Sequence, residues 1–412
     1  MPAVERNILI CSSYYWPETS GNAPYVTGLA EHLGGHGHKV VVCTGYPHYP
    51  EWRRSRSGRG SHELQNGVEI RRRKHYVPSA QSAVRRATYE SSLFLSGLGG
   101  LRLPMRPDVI LGVTPTLAAA SLALVAAKRY RAPAGIVFQD LMGRAADQSG
   151  VKGGRTVSAL VSRLELRLAR RAAAVAVVSD GFRTYFEANG LEPARIFRVR
   201  NWNLAMPVSA GREETRARFG WSDRDFVCLY AGSMGYKQGL DILLDAASVL
   251  PEGVKIVLAG DGSERRRLED LAKARELANV AFHGVQPVGE YEAMLRASDV
   301  LLVSQRPSVA DMSVASKLGS YFAAERPVVA ALGAESETAQ ELATSGGGLL
   351  VPPAAPAALA EAILRLRADP VEAESLAEKG RHHALTQLSA DSALAQYERF
   401  IEALVAAGSP AS

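Results

Sequence analysis

Short apolar runs of strand length recur along the whole of this chain, separated by stretches with the 3.6-residue periodicity of helices, and that alternation leaves few folds open. In the first half the runs are Asn7–Ser13, Lys39–Thr44, Val68–Arg72, Asp108–Val113, Gly135–Phe138, Ala174–Val178 and Ile196–Val199. In the second they are Phe226–Ala231, Val254–Ala259, Val280–His283, Val300–Val303, Val328–Ala331 and Gly348–Val351. Between them lie helical patterns, the clearest being Val157, Leu160, Val161, Leu164 and Leu168, which share one helical stripe. Alternating strand and helix builds a parallel sheet with helices on both faces. Two such series predict an α/β chain of two Rossmann-like domains, and 412 residues suit two domains. Pro207, Ser209 and Gly211 interrupt the pattern, which places the domains at 1–205 and 206–388. Residues 389–412 then form a helix, Asp391 to Ala406, expected to cross back to the first domain, and a frayed tail.

The charge is uneven. Residues 1–200 hold 28 Lys and Arg against 14 Asp and Glu, whereas residues 201–412 hold 20 against 28. A basic first half suits an anionic partner, and solvated arginine-rich helices explain it equally well. The three cysteines, Cys11, Cys43 and Cys228, lie in separate strand runs at spacings that fit no metal site. Buried thiols in a reducing cytoplasm are expected, since no leader-like stretch precedes Asn7 and no apolar run is long enough to span a membrane.

Ligands of open α/β sheets bind beyond the C-terminal ends of the strands, so the loops there carry the functional reading. The first is Ser12–Tyr25, in which Gly21 and Asn22 open a helix; glycine lets backbone approach a phosphate, though a plain tight turn is as good an explanation. It is not a G-x-G-x-x-G fingerprint, which disfavours a dinucleotide. Its counterpart in the second half is Tyr230–Leu240, where Gly232, Ser233 and Lys237 precede a helix expected to begin near Gln238. Lysine charge and helix dipole would act there on one anion. Gly260 and Gly262 end the next strand, and the loop after His283 could seat a base. Pro307–Pro327 adds Asp311, Ser313, Ser316 and Lys317, an inventory suited to a phosphorylated ligand such as a nucleotide sugar. Asp223-Arg-Asp225 has the form of a D-x-D metal motif, but it precedes a strand, at the wrong end of the sheet, and reads as a polar turn.

In the first half, Asp140 follows the strand Gly135–Phe138, as a ligand contact or a helix cap. Tyr46, His48, Tyr49 and Trp52 form an aromatic, proline-stiffened loop suited to an acceptor. Val84–Leu103 combines Arg85 and Arg86 with Leu93, Phe94 and Leu95 and reads as a helix for an anionic bilayer or as a packed helix with two exposed arginines. Neither stretch has the pattern of a nucleic-acid module.

Together these residues resemble the retaining glycosyltransferases of the GT-B fold, and within them the family 4-like bacterial members that build O-antigen, capsule and colanic-acid-type polysaccharides. The resemblance rests on Tyr15–Asn22, Leu29-Ala30, Gly37–Val40, Tyr46–Trp52, Gln139–Leu141 and Arg200–Trp202 in the first half. In the second half it rests on Gly232–Asp241, Gly260–Gly262, Ala297–Val300, Ser316–Leu318 and Arg326–Val329. Two departures concern the donor. Ser233 and Gln238 stand where the family often has arginine and lysine, and Met312 and Ser320 stand where it often has two glutamates.

The resemblance implies two domains facing a cleft, with donor on the second and acceptor on the first, and closure that brings the Gly21 loop onto the pyrophosphate. It implies transfer of a sugar from a nucleotide diphosphate, uridine rather than guanosine, with retention and without a cofactor or divalent metal. Lys317, Lys237 and Asp140 are the expected catalytic residues. The leaving phosphate would take the acceptor proton, and Asp140 would orient sugar or acceptor. A lipid-linked saccharide at the inner membrane surface is the expected acceptor. The alternatives are a soluble natural product as acceptor, a nucleotide-sugar epimerase, and a non-catalytic nucleotide-sugar-binding protein.

Overall fold

The computed structural model describes residues 4–49, 52–53, 62–79, 82–143, 154–204, 210–307 and 317–408. The chain divides into two compact units, Met1–Asn201 with Ala393–Ser412, and Trp202–Ser392.

The first unit is built on an eight-stranded sheet in the order β3-β4-β2-β1-β5-β6-β7-β8. The strands are β1 Asn7–Cys11, β2 Lys39–Gly45, β3 His62–Gln65, β4 Val68–Arg73, β5 Val109–Val113, β6 Ala134–Phe138, β7 Ala174–Val177 and β8 Ile196–Arg198. All pairs are parallel except β3 with β4. β3 has no counterpart among the expected strands, because its one apolar residue, Leu64, is exposed. The readable signal was the turn: Asn66 and Gly67 both take positive φ, as a two-residue hairpin requires. Cys11 and Cys43 are paired in register on β1 and β2, and burial raises both thiols.

The crossover helix, Ala390–Gly408, returns to this unit. Phe400 and Leu404 occupy the space over β6 that Gly135 leaves, and Phe400 also meets Phe197 of β8 at 5.4 Å. The Tyr397 hydroxyl accepts from Gln139 at 3.2 Å, and Gln396 accepts the Arg200 N–H at 2.9 Å. Any side chain on Gly135 would displace the helix.

The helix Gly154–Arg171 forms where its stripe predicts, but with the apolar side outward. Val157, Leu160 and Leu164 are exposed, while Ser158, Glu165 and Ala169 are buried. The polar face is turned in because Glu165 and Ser158 bind backbone: Glu165 accepts the Met142 N–H at 2.7 Å, and Ser158 donates to the Gly143 carbonyl at 2.6 Å. This helix, Leu117–Tyr130 and Ala83–Leu98 lie side by side on one face of the sheet.

The second unit has six parallel strands in the order β11-β10-β9-β12-β13-β14. They are β9 Phe226–Ala231, β10 Val254–Ala259, β11 Val280–His283, β12 Val300–Ser304, β13 Val328–Ala331 and β14 Gly348–Val351. Strand β9 shows why its sequence is apolar at every position. Cys228 and Tyr230 enter the core on one face with Leu243 and Ile363, and Val227, Leu229 and Ala231 enter the other with Leu318 and Phe322. The chain builds outward from β9 to β11, then restarts with β12 on the other side of β9. The strand order therefore reverses between β9 and β12, where such sheets bind ligands.

Candidate functional site

In the second unit the reversal point is occupied by the loop Gly232–Leu240. Its inner side is held by backbone. Gly232 donates to the Ala259 carbonyl at 2.8 Å, Met234 donates to the Asp261 carbonyl at 2.8 Å, and Glu264 donates to the Met234 carbonyl at 2.9 Å. The interlock leaves no room for side chains. A Cβ on Gly260 would strike the Gly232 carbonyl, and one on Gly262 would strike the Met234 carbonyl. Gly260, with φ +138°, is also in a conformation that disfavours other residues. These two glycines thus shape the loop wall.

The outer side is held by Arg306, just after β12. Its backbone N–H donates to the Lys237 carbonyl at 2.9 Å, its side chain donates to the Tyr236 carbonyl at 2.8 Å, and it pairs with Asp241 at 3.0 Å. Arg267 pairs with the other Asp241 oxygen at 2.6 Å, and the two arginines hold the Asp241 carboxyl below its usual range, Arg267 more strongly. Gln238 closes the loop on itself by accepting the Gly235 N–H at 3.1 Å. The α-helix begins at Asp241 and not near Gln238, because Gly239, at φ +57°, ends a short 3₁₀ turn over Tyr236–Gln238. Ser233 and Lys237 are exposed on this loop.

Lys317 opens the helix Lys317–Ala323. One turn on, the Tyr321 hydroxyl accepts the Ala231 N–H at 2.9 Å and donates to the Ala231 carbonyl at 3.1 Å, which ties the helix to the end of β9. The Lys317 ammonium consequently lies 3.9 Å from the ring centroid of Tyr230, and 3.0 Å from where a Cβ on Gly232 would be. Tyr230 is held by donating its hydroxyl to the Ser233 carbonyl at 2.6 Å. The lysine residue keeps partial exposure, yet its ammonium is enclosed and pairs with no carboxylate among the described residues; desolvation pushes its pKa down to about 7. Asp311, Ser313, Ser316 and Met312 lie outside the described residues. Ser320 is on the same helix, against the Tyr291 hydroxyl. His283 gives its carbonyl to the Gly260 N–H at 3.1 Å, while its ring packs on Phe219 and leaves a buried Nε2 without a partner.

The first unit has a corresponding reversal between β1 and β5. Asn22 sits there, buried, donating to the Thr114 carbonyl at 2.7 Å, with its own Oδ1 unpartnered. The Thr114 hydroxyl accepts the Gln139 N–H at 3.0 Å and reaches the Asp140 carbonyl at 3.4 Å. Gly21, Asn22 and Asp140 are thereby carried on loops joined at the ends of β1, β5 and β6. Asp140 is exposed and accepts the Leu141 N–H at 2.8 Å. Glu165 fixes the turn that follows, and burial raises its carboxyl to about 7.

Of the aromatic loop, Tyr49 covers Gly21, whose Cβ would come 3.2 Å from the Tyr49 ring. Glu18 binds the two loops together: its carboxylate accepts the His48 and Tyr49 N–H groups, each at 2.8 Å, and the Tyr15 N–H at 3.2 Å. Burial raises the Glu18 carboxyl, and those N–H groups oppose the shift. His48 is an interior strut, its Nε2 3.0 Å from the Tyr89 hydroxyl and its Nδ1 2.9 Å from the Tyr46 carbonyl. Trp52 packs with Tyr89 and Leu93. Tyr46 and Tyr49 retain partial exposure. The sequence reading did not single out Glu18, Thr114, Tyr230, Arg306 or Tyr321; for Arg306 the available signal was a cation immediately after a parallel strand.

Residues 20–202 match a family described as glycosyl transferase 4-like domain, and residues 211–383 match glycosyl transferases group 1. The chain is 28% identical over 354 residues to the putative colanic acid biosynthesis glycosyl transferase WcaI of Escherichia coli (strain K12), covering 82% of this chain and 86% of that one. It is 27% identical over 234 residues to the alpha-D-kanosaminyltransferase of Streptomyces kanamyceticus, 54% of this chain and 58% of that one. Among solved structures, sucrose-phosphate synthase from Thermosynechococcus elongatus superposes with a TM-score of 0.74 at 21% identity, over 98% of this chain and all (100%) of that one. Anabaena HepE in complex with UDP-glucose gives 0.67 at 17% identity, over 98% of this chain and 100% of that one. The chain belongs to the glycosyltransferases of the GT-B fold.

Gly260→Ala should destabilise the second unit by about 2–3 kcal/mol, since it combines a disfavoured φ with a collision against backbone. Urea unfolding measures this; a loss under about 0.5 kcal/mol would mean that the two loops are not interlocked.

Proposed function

We propose that this glycosyltransferase moves a sugar from a uridine diphosphate donor to a hydroxyl of a lipid-linked saccharide, with retention at the anomeric carbon, in the assembly of a cell-surface polysaccharide. The observation that carries the donor reading is Lys317, a cation at the reversal point of the second sheet, seated on the Tyr230 ring and supplied with no carboxylate among the described residues. Desolvating an ammonium is costly, and an anionic ligand repays it. The leaving diphosphate is such a ligand: charge grows on it as the glycosidic bond breaks. One well-placed donor aimed at developing charge supplies roughly 3–4 kcal/mol. Gly232 has no Cβ to crowd the ammonium, and Lys237 on the same loop adds positive charge. That HepE was solved with UDP-glucose supports the donor class.

In this reading the second unit holds the donor, with Gly232, Ser233, Gln238, Gly260, Gly262 and His283 shaping the site and Asp311, Ser313 and Ser316 completing it. The acceptor belongs to the first unit, where Asp140 orients the reacting hydroxyl and Tyr46, Tyr49 and Trp52 line its approach. The acceptor proton passes to the departing phosphate on the same face of the sugar, so no dedicated base and no divalent metal enter the scheme.

The lipid-linked acceptor is supported by the helical layer of the first unit. The helices Ala83–Leu98, Leu117–Tyr130 and Gly154–Arg171 expose Val84, Leu95, Val125, Val157, Leu160 and Leu164. Exposed basic residues, Arg85, Lys128, Arg129, Arg163 and Arg167, stand among them. Apolar side chains ringed by cations suit an anionic bilayer surface. No helix among the described residues is long and apolar enough to cross a membrane; in this reading the protein meets the cytoplasmic face of the membrane peripherally through that helical layer. Similarity to a kanosaminyltransferase keeps a soluble natural product as the second reading of the acceptor.

A panel of nucleotide sugars, read by donor hydrolysis and transfer, tests the activity, and Lys317→Ala tests its site. Turnover at saturating donor should fall at least about tenfold with the fold intact. Near-normal turnover would remove Lys317 from the mechanism, and free epimerised sugar or tight binding without turnover would replace the transferase reading. In flotation at low salt, the protein should rise with vesicles containing anionic lipid, and Leu95→Asp with Leu160→Asp should abolish this. A wild-type protein that stays unbound would favour the soluble acceptor.

A further inference from the structure

We propose that His32, His36 and Glu398 form a divalent-cation site on the first unit that clips the crossover helix to the C-terminal end of the first helix. Among the described residues these three form one group whose ligand atoms all lie within 4.8 Å of one another. His32 is in the last turn of the helix Ala23–Gly35 and His36 caps it, so the pair has the i, i+4 spacing that puts two imidazoles on one face. Their ring centroids are 4.1 Å apart. Glu398 comes from the crossover helix, 366 residues further on, with Oε1 2.7 Å from His32 Nε2.

The tautomers suit a metal. The His36 Nδ1 lies 2.8 Å from the His32 carbonyl, so it carries the proton and leaves the Nε2 lone pair available. An imidazole oriented by a backbone carbonyl is the usual second layer of a metal site. His32 needs only to carry its proton on Nδ1 in place of Nε2. Two imidazole nitrogens and a carboxylate oxygen are a donor set for Zn²⁺, with a fourth position left for water. Tetrahedral bonds bring ligand atoms to about 3.4 Å, a closure that side chains with 20% and 43% exposure can make by rotation. His38 stands beside the group but is occupied, accepting the Arg6 N–H at 3.2 Å, and is left outside the ligand set. The cation would join helices from the two ends of the chain and add to the apolar docking of Phe400.

Calorimetric titration of Zn²⁺ into the full chain, free of any histidine tag and stripped with chelator, tests the site. One equivalent should bind, and the melting temperature should rise and return to its starting value with EDTA. His36→Ala and Glu398→Gln should each weaken binding at least about tenfold and abolish the melting shift, with unchanged circular dichroism. No binding by the wild-type chain, or binding equally tight in either variant, overturns the proposal.

Discussion

The backbone interlock between the Gly232–Leu240 loop and the Gly260–Gly262 turn is the constraint on which the candidate donor site depends. Two loops from neighbouring strands are joined there main chain to main chain, with no side chain between them. Hydrogen bonds of this kind fix a loop more tightly than side-chain contacts do, since no rotamer can relax them. The interlock fixes Gly232 and Met234, and the carbonyl of Ser233 between them holds the Tyr230 hydroxyl. Tyr230 in turn gives Lys317 its seat, and Tyr321 ties the lysine's helix to the same strand end. The position of one ammonium therefore follows from two tyrosines, each anchored by backbone at the end of β9.

The electrostatics follow from that geometry. A lysine ammonium enclosed against an aromatic face, with no carboxylate beside it among the described residues, loses much of its hold on its proton. Around the same loop the chain does the opposite: Arg306 and Arg267 pair with Asp241, Arg267 also with Glu264, and the two arginines serve as braces. The first unit shows a parallel division. Glu18 is buried and saturated with backbone N–H groups, which makes it a clamp between loops, while Asn22 keeps a buried acceptor without a partner. The saturated carboxylate holds the loops in place, whereas the Asn22 Oδ1 keeps its hydrogen-bonding capacity at the end of the sheet.

The strand pattern was legible because parallel strands buried on both faces are apolar throughout, as β9 and β12 are. The exposed hairpin strand β3 lacked that signal and was visible only through Asn66-Gly67. The stripe on the helix Gly154–Arg171 was legible as a helix but not as an outward face, since periodicity does not say which side meets the sheet; a buried glutamate answering backbone N–H groups decided it. The glycines of the donor loops could be located from their strand ends, whereas their purpose, contact between backbones, needed three dimensions. His48 looked like an acceptor contact among its aromatic neighbours, but its ring is spent inside the unit. The start of the helix at Asp241 was misplaced by three residues because Gly239 takes a left-handed conformation that the sequence permits but does not require.

The central claim is that Lys317 is a desolvated cation awaiting a diphosphate, and its own titration tests that most directly. With labelled lysine and Lys317→Arg for assignment, magnetic resonance should show the free protein's Lys317 titrating at about 7 and not at 10.5. Saturation with UDP should move the midpoint back up, since an anion beside the ammonium favours its charged form. A Lys317 that titrates at its ordinary value, or whose midpoint UDP leaves unmoved, would contradict the account.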